Sequence, residues 1–364
     1  MKVVISVSND LNTDYRVYKI AKSLQKREVG VSLVGRKLPF TKLFPGNEFK
    51  VKRFRLIFNK GPLFYVSLNI RLFFYLLFRK TDIFVSNDMD TLPANYAISV
   101  FRRKILLFDS HELFSEVPEL IGRKAIKMIW KIFEDLIIPK LKYGYTVSQS
   151  ICQYYQEKYN INFGVVRNIP HYEERIPKIK KESGIVVIYQ GAMNLGRGIE
   201  LMIQSVRYLP EEYTLWLVGD GDRLNELNEL RIKEGLQERV RMVGRVSIDE
   251  MKSLTLKADV GLSLEEDLGL NYRFSLPNKI FSYIQARIPC IVSDLPEMKN
   301  LVNEYQVGEI LKERNPQALA SLIVNTVSHN KRYIENLDKA AKNLCWEKEE
   351  KKLLEIFFKA GLSI

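Results

Sequence analysis

The chain has 364 residues, 46% of them hydrophobic, and a formal net charge of +13. This length is sufficient for two domains with sizeable cores. No apolar run reaches the roughly 18–20 residues that a membrane-spanning helix needs, and the first residues do not have the pattern of a signal peptide. Three widely spaced cysteines, Cys152, Cys290 and Cys345, form no metal-ligand pattern, so we expect no metal site and a reduced, cytoplasmic compartment.

The excess positive charge lies in the first half of the chain. Residues 1–170 carry 28 Lys and Arg against 14 Asp and Glu, whereas residues 171–364 carry 28 against 29. Such an excess attracts phosphates or an anionic membrane face. It is also typical of lysine-rich surfaces without a specific partner, and both interpretations stay open at this point.

In chain order, short apolar segments alternate with helical segments. The first series has one helix predicted over residues 15–27, ended by Gly30, and another over residues 63–78. Its strands are predicted over residues 3–7, 31–34, 83–85, 105–108 and 145–147. The last three of them end in polar loops, at residues 86–90, 109–112 and 148–150. This alternation predicts a parallel sheet, and ligands bind at the carboxyl ends of such strands.

Residues 168–183 interrupt the pattern with many charges and two prolines, which predicts a boundary between domains. A second series follows, with strands predicted over residues 184–189, 214–218, 240–243, 260–263 and 290–292. The predicted fold class is therefore α/β, with two facing, Rossmann-like, doubly wound domains. We expect a ligand in the cleft between them.

The loop from Gly191 to Gly198 joins a predicted strand to a predicted helix start. Its backbone N–H groups, the helix dipole and Arg197 together suit a diphosphate. The glycines could equally serve a tight turn. Their spacing is not the G-x-G-x-x-G fingerprint, which is also missing after the first strand, and this argues against a nicotinamide-dependent dehydrogenase.

Two more residues indicate chemistry at strand or helix ends. Lys279 lies in the first turn of a helix that Pro277 begins, where a lysine is unfavourable unless an anion is present. His111 follows a predicted strand and could orient a hydroxyl group or accept a proton, with Asp109 and Glu112 holding it or capping the next helix. A solvated lysine and a structural histidine are the alternatives.

Short motifs follow one another along nearly the whole chain: D-Y-R at 14–16, F-D-S-H-E at 108–112, Y-T-V-S at 145–148, the loop from Gly191 to Gly198, L-V-G-D-G at 217–221, V-G-R at 243–245, P-N-K at 277–279 with Pro289 downstream, and W-E at 346–347. Their order and spacing resemble glycosyltransferase family 4, which has the GT-B fold.

The resemblance implies an acceptor domain over residues 1–168, a nucleotide-sugar donor domain over residues 169–345, and a last helix over residues 346–364 that returns to the first domain. It implies catalytic roles for Arg197 and Lys279 on the donor diphosphate and for His111 beside the transferred sugar. The other implied donor-binding residues are Gly191, Gly198, Gly244, Arg245, Asn278 and Ser282. The implied acceptor-side residues are Asp14, Arg16, Asp109 and Glu112.

The implied reaction retains the anomeric configuration and uses no metal and no cofactor, the nucleotide-sugar being a co-substrate. Asp220 and Asp222 end a second-domain strand, as in the family, and are not read as a metal site. The chain departs from the family pattern at Ala192, Phe274 and Ser282, where an arginine and two glutamates are usual, and it lacks the family's glycine pair in the first loop. Glu265 and Glu266 lie upstream and could compensate in part for these departures.

Residues 51–80 interleave cations with aromatic side chains, and residues 123–142 add more. The helix over 63–78 could lie on an anionic membrane or pack its apolar face on the sheet. We predict a cytoplasmic enzyme, peripheral at the inner face of the membrane, that extends a glycan or lipid-linked acceptor for a bacterial surface polysaccharide, either lipopolysaccharide or capsule.

Two alternatives from other classes stay open. A nucleotide-sugar epimerase shares the fold but needs proton-transfer groups, and the chain has only three histidines. A nucleic-acid-binding protein would account for the basic half but not for the phosphate loop, so no nucleic-acid partner is expected.

Overall fold

The computed structural model describes residues 1–12, 14–38, 48–117, 120, 122–174 and 184–362. The chain divides into two compact units, one comprising Met1–Asn168 with Glu349–Ile364 and the other Ile169–Lys348. Of the predicted boundary segment, residues 175–183 lie outside the described residues.

The first unit is built on one parallel sheet. Its strands are β1 (Lys2–Asp10), β2 (Gly30–Arg36), β3 (Lys50–Phe54), β4 (Ile83–Asn87), β5 (Ile105–Ser110), β6 (Tyr143–Thr146) and β7 (Gly164–Val165). Its helices are α1 (Tyr15–Gln25), α2 (Pro62–Leu77), α3 (Asp88–Arg102), α4 (Lys124–Ile137) and α5 (Gln149–Tyr159). Within the described part of the unit, the strand order is β3-β2-β1-β4-β5-β6-β7. The order reverses between β1 and β4, and in doubly wound sheets this switch point is where ligands bind.

The second unit repeats this plan. Its strands are β8 (Ile185–Gln190), β9 (Tyr213–Val218), β10 (Val240–Gly244), β11 (Val260–Ser263), β12 (Cys290–Ser293) and β13 (Gly308–Leu311), in the order β10-β9-β8-β11-β12-β13. Its helices are α6 (Ile199–Ser205), α7 (Leu224–Lys233), α8 (Ile248–Lys257), α9 (Leu270–Arg273), α10 (Asn278–Gln285), α11 (Pro296–Tyr305), α12 (Pro316–Ser328) and α13 (Ile334–Asn343). The last helix, α14 (Trp346–Lys359), begins in this unit and ends in the first. Short 3₁₀ helices lie at Phe114–Glu116, Ile138–Lys140, Val206–Tyr208 and Asn330–Tyr333.

Helices cover both faces of the second sheet, and β8 shows why its sequence is almost continuously apolar. Val186 and Ile188 pack in one hydrophobic core with α10, α11 and α13. Val187 and Tyr189, which point to the opposite face, pack in a second core with α6 and α12. A strand buried on both faces needs apolar residues at every position. The predicted α/β class with two doubly wound sheets is therefore confirmed.

Several element ends differ from their predictions. Gly30 does not end α1 but begins β2, and the chain turns instead at Glu28, which has a φ of 58°. The polar residues predicted as loops after β4 and β5 partly belong to the strands, because buried hydrogen bonds satisfy them. Asn87 Nδ2, for example, donates to Ser6 O over 3.1 Å. The edge strands β3, β7 and β13 were not predicted, since they are short and lack a long apolar run.

Candidate functional site

In the second unit, two predicted cations converge on one buried carboxylate. Lys279 Nζ lies 2.5 Å from Glu265 Oε1, and Arg197 Nη1 lies 3.4 Å from the same oxygen. Ser263 Oγ donates to Glu265 Oε2 over 2.7 Å. Arg197 lies in the loop after β8, Glu265 follows β11, and Lys279 is the second residue of α10. The three groups therefore meet at the carboxyl ends of β8 and β11, the switch point of this sheet.

Burial controls the charges of this cluster. The side chain of Glu265 is fully buried, whereas those of Lys279 and Arg197 are 8% and 25% exposed. Burial raises the pKa of Glu265, but Lys279 and Arg197 outweigh it and hold that pKa below its ordinary value. Burial lowers the pKa of Lys279, although Glu265 opposes the effect. Glu265 therefore helps to keep Lys279 protonated.

Two tyrosines complete the surroundings of the cations. Lys279 Nζ lies 4.6 Å from the centroid of the Tyr189 ring, and Arg197 Cζ lies 4.9 Å from that of Tyr272. Both distances are within cation–π range. The Tyr272 hydroxyl also donates to Leu195 O over 2.9 Å, which ties the loop that carries Arg197 to α9. Neither tyrosine was predicted, because an aromatic residue at a strand or helix end is usually a core residue.

The glycines of the predicted phosphate loop allow close backbone approach. Gly198 has a φ of 68°, and a Cβ there would lie 2.2 Å from Leu264 O. A Cβ on Gly219, after β9, would lie 1.9 Å from Gly191 O, and Gly219 N donates to Gly244 O over 2.9 Å. The tight-turn interpretation thus explains these glycines structurally. The helix that follows Gly198 is only seven residues long.

The remaining predicted donor residues lie outside the Glu265 cluster. Asn278 begins α10 and is exposed, and Ser282 Oγ donates to Asn278 O over 3.4 Å. Arg245 is exposed in the loop after β10. Asp220 Oδ1 accepts from the N–H of Gly221 over 2.8 Å. Among the described residues, no three His, Cys, Asp or Glu side chains are placed to hold a metal ion.

In the first unit, the imidazole of His111 lies between two carboxylates. Nδ1 is 3.2 Å from Asp88 Oδ2, and Nε2 is 3.1 Å from Asp109 Oδ2. The Nε2 contact has ion-pair distance without hydrogen-bond alignment, and Nε2 is buried. The His111 backbone N–H donates to Asp88 Oδ1 over 2.7 Å. Asp109 Oδ1 in turn accepts from Arg16 Nη2 over 2.5 Å.

These contacts raise the pKa of His111. Burial and Arg16 lower it, but Asp109 and Asp88 outweigh them and raise the pKa to about 8. Burial raises the pKa of Asp88 to about 7, against the opposing effect of His111. Burial also raises the pKa of Asp109, yet Arg16 and His111 hold it below its ordinary value.

The structure brings together some of the predicted acceptor-side residues and adds one. Arg16, Asp109 and His111 form a connected chain of charges at the carboxyl ends of β4 and β5. Asp14 instead caps α1, where its Oδ1 accepts from Val17 N over 3.2 Å. Asp88 was missed as a partner of His111, although it lies in the predicted polar loop at 86–90 and its place after a strand was the available signal.

The second unit matches a known family of domains. Residues 172–344, just under half of the chain, match the family model described as glycosyl transferases group 1. The second unit therefore carries a domain of this family. No curated protein matches the chain by sequence.

Solved structures share the fold over almost the whole chain. Sucrose-phosphate synthase from Thermosynechococcus elongatus has a TM-score of 0.81 at 14% identity, covering 99% of this chain and 98% of its own. Anabaena Alr3699/HepE in complex with UDP and glucose has a TM-score of 0.76 at 15% identity, covering 99% and 100%. WaaG, a glycosyltransferase involved in lipopolysaccharide biosynthesis, has a TM-score of 0.67 at 13% identity, covering 97% and 99%. Similarity at this low identity shows the fold alone, which is GT-B.

Proposed function

We propose that this chain, whose second unit is a group 1 glycosyltransferase domain, is a family 4-like glycosyltransferase that moves a sugar from a nucleotide-sugar to a membrane-associated acceptor. The acceptor is a glycan or a lipid-linked oligosaccharide, and the product is a bacterial surface polysaccharide. The observation that carries the proposal is the convergence of Arg197 and Lys279 at the switch point of the second sheet. The UDP and glucose bound to Anabaena HepE and the lipopolysaccharide role of WaaG support the donor and product classes.

In the proposed reaction, an acceptor oxygen bonds to the anomeric carbon while the bond from that carbon to the diphosphate breaks. The acceptor proton passes to the leaving diphosphate, and substitution on the same face retains the anomeric configuration. Arg197 and Lys279 stabilise the negative charge that develops on the leaving group, so the proposal includes no metal ion. Both cations are already held in place before the donor binds, which reduces the cost of reorganisation.

Calorimetric titration with UDP, GDP, ADP and their sugars, without metal, tests the donor site. We expect one nucleotide class to bind and Arg197→Ala to weaken its binding about tenfold or more, since a charge-assisted contact to phosphate is lost. Arg207→Ala is the matched control, because Arg207 forms an exposed pair with Glu234 in the same unit. A folded protein that binds none of these ligands at millimolar concentration would contradict the proposal. A radiolabelled sugar then tests transfer to membrane glycolipids.

The membrane part of the proposal rests on two exposed apolar helix faces in the first unit. Helix α2 buries Phe64, Leu68, Leu72 and Leu76 at four-residue spacing. Its other side exposes Leu63, Val66, Ile70 and Phe74. Helix α4 exposes Met128, Ile129, Ile132, Phe133 and Leu136. Soluble monomers rarely expose so many large apolar residues together.

The two helices adjoin and carry positive charge. Tyr65 of α2 and Trp130 of α4 contact each other edge to face, with ring centroids 4.9 Å apart. Arg71, Lys124 and Lys131 are exposed on the same helices. Apolar faces flanked by cations fit an anionic bilayer surface, into which the apolar side chains insert. None of the helices in the described part of the chain is long and apolar enough to cross a membrane. We therefore propose peripheral binding at the inner face of the membrane.

A further inference from the structure

Each ring nitrogen of His111 lies within ion-pair distance of a different carboxylate. Asp88 Oδ2 lies 3.2 Å from Nδ1, and Asp109 Oδ2 lies 3.1 Å from Nε2, which is buried and not aligned for a hydrogen bond. A neutral imidazole carries a proton on only one nitrogen, so its other lone pair would face a carboxylate that repels it whenever that carboxylate is ionised. Protonation of both nitrogens removes this repulsion. A ring protonated on both nitrogens has no free lone pair with which to take a proton from an acceptor hydroxyl.

We propose that Asp88 and Asp109 hold His111 as a doubly protonated cation, so that His111 acts as a fixed positive charge and not as a general base. Asp88 is the positioning residue, since it contacts both the ring and the backbone N–H of His111. Its own backbone has a φ of 56°, an unfavourable conformation for a residue other than glycine, at the start of α3. This inference concerns the acceptor side of the proposed transferase and rests on that function only for its catalytic meaning.

The charge balance around the ring supports this state. Arg16 neutralises Asp109 from the far side, which leaves the proton on His111 to be shared mainly with Asp88. Burial raises the pKa of Asp88 to about 7, and the two carboxylates raise that of His111 to about 8 after the opposing effects of burial and Arg16. Near neutral pH the imidazole therefore remains protonated. The titratable groups that act on this cluster are Arg16 from α1, Asp88 and Asp90 from α3, Asp109 from β5, Glu112 from the following loop and Tyr145 from β6.

Nitrogen-15 NMR of the unmodified protein tests the cation without donor or acceptor, so its result is independent of the proposed function. The chain has three histidines, and the loss of one signal in His111→Gln assigns His111. We expect both His111 ring nitrogens to show imidazolium shifts at neutral pH and the ring to titrate near pH 8. A neutral tautomer at pH 7 would overturn the proposal.

The role of Asp88 is tested by comparing Asp88→Asn with Asp90→Asn. Asparagine can still accept the His111 backbone N–H, but its amide cannot stabilise a proton on Nδ1. We expect the His111 midpoint to fall by about one unit or more in Asp88→Asn. Asp90→Asn removes a buried carboxylate of the same helix that forms no ion pair with the ring, and we expect a smaller fall. If the His111 midpoint falls equally in both variants, or does not fall in Asp88→Asn, then Asp88 is not the positioning residue. If Asp88→Asn does not fold, the spectrum of the unmodified protein still shows whether His111 is protonated on both nitrogens.

The pH profile of sugar transfer adds a catalytic readout. A general base loses activity as the pH falls below its pKa, whereas a required cation loses its effect as the pH rises above it. We expect kcat to fall as the pH rises through about 8, and in Asp88→Asn to fall at a lower pH. If kcat instead rises as the pH increases through about 8, His111 acts as a general base and the proposal is overturned.

Discussion

Glu265 and Lys279 show how the charge of one residue depends on its neighbour. A carboxylate beside two cations that are proposed to bind a diphosphate would ordinarily weaken anion binding by repulsion. Here Lys279 is almost fully buried, and burial lowers its pKa. The Glu265 carboxylate opposes that shift at 2.5 Å. In the proposed donor site, the same carboxylate would therefore repel a diphosphate and also maintain the Lys279 charge that attracts it.

We expect Glu265→Gln to weaken donor binding about tenfold rather than strengthen it, because Lys279 loses its proton more easily. Lys279 attracts the diphosphate only below its pKa. The variant's affinity should therefore decline at a lower pH than that of the unmodified protein, which calorimetry over a pH series measures. Glu266→Gln is the control, since Glu266 is more exposed and pairs with Arg314 at 3.7 Å. Tighter binding by a folded Glu265→Gln protein would show that repulsion dominates.

At the scale of elements, α4 places most of its large apolar residues in solvent. Only Trp130 and Ile137 among them are buried. A helix that packs its apolar face on a sheet would bury more of them. Helix α2, by contrast, has a buried leucine-rich face and a second, exposed apolar face. These two exposed faces distinguish the first unit from an ordinary soluble domain.

We expect Ile132→Glu to weaken binding to vesicles that contain phosphatidylglycerol about tenfold or more, because an inserted isoleucine contributes about 1.5–3 kcal/mol. Cosedimentation measures the bound fraction. Ile232→Glu is the control, since Ile232 on α7 is 50% exposed and Ile132 is 49% exposed. Equal binding by both variants would argue against α4 as the contact. Vesicles of phosphatidylcholine alone should bind less, because they lack the negative charge that attracts the flanking cations.

At the scale of the whole molecule, the first unit is made of two separate stretches of chain. Leu353 and Phe357 of α14 and Ala360 directly after it are buried, and Glu349 Oε2 accepts from Arg167 N over 2.8 Å. Ile356 also lies against Gly164, where a Cβ would be 2.4 Å from its side chain. The end of the chain therefore belongs to the core of the unit that begins it.

We expect Leu353→Asp to reduce the free energy of unfolding by more than about 3 kcal/mol, since it removes a buried side chain and buries a charge. Lys351→Asp, an exposed change in the same helix, should stay within about 0.5 kcal/mol. Urea denaturation followed by circular dichroism measures both. For the same reason, a fragment of residues 1–168 should fold poorly compared with the same fragment joined to residues 349–364. A stable isolated fragment would contradict this dependence.

Local pattern was sufficient to predict the fold and the main cations. Apolar strands that alternate with helices are typical of parallel sheets. The apolar run at residues 184–189 therefore predicted a strand without information on which segments it contacts. The polar residues after the strands indicated the carboxyl edge of each sheet as the expected ligand site, again from local sequence. Arg197, Lys279 and His111 were predicted from these positions, and their roles in transfer stay predictions.

Only the tertiary structure decided which groups meet. Lys279 at a helix start indicated an anion, and in this structure that anion is Glu265, fourteen positions earlier in the chain. Asp88 and His111 are 23 positions apart and come from different strand ends. The sequence by itself determined the elements, because their periodicity is local. The charge states of Lys279 and His111 depended on the tertiary structure, because burial and facing carboxylates are set by contacts between distant segments.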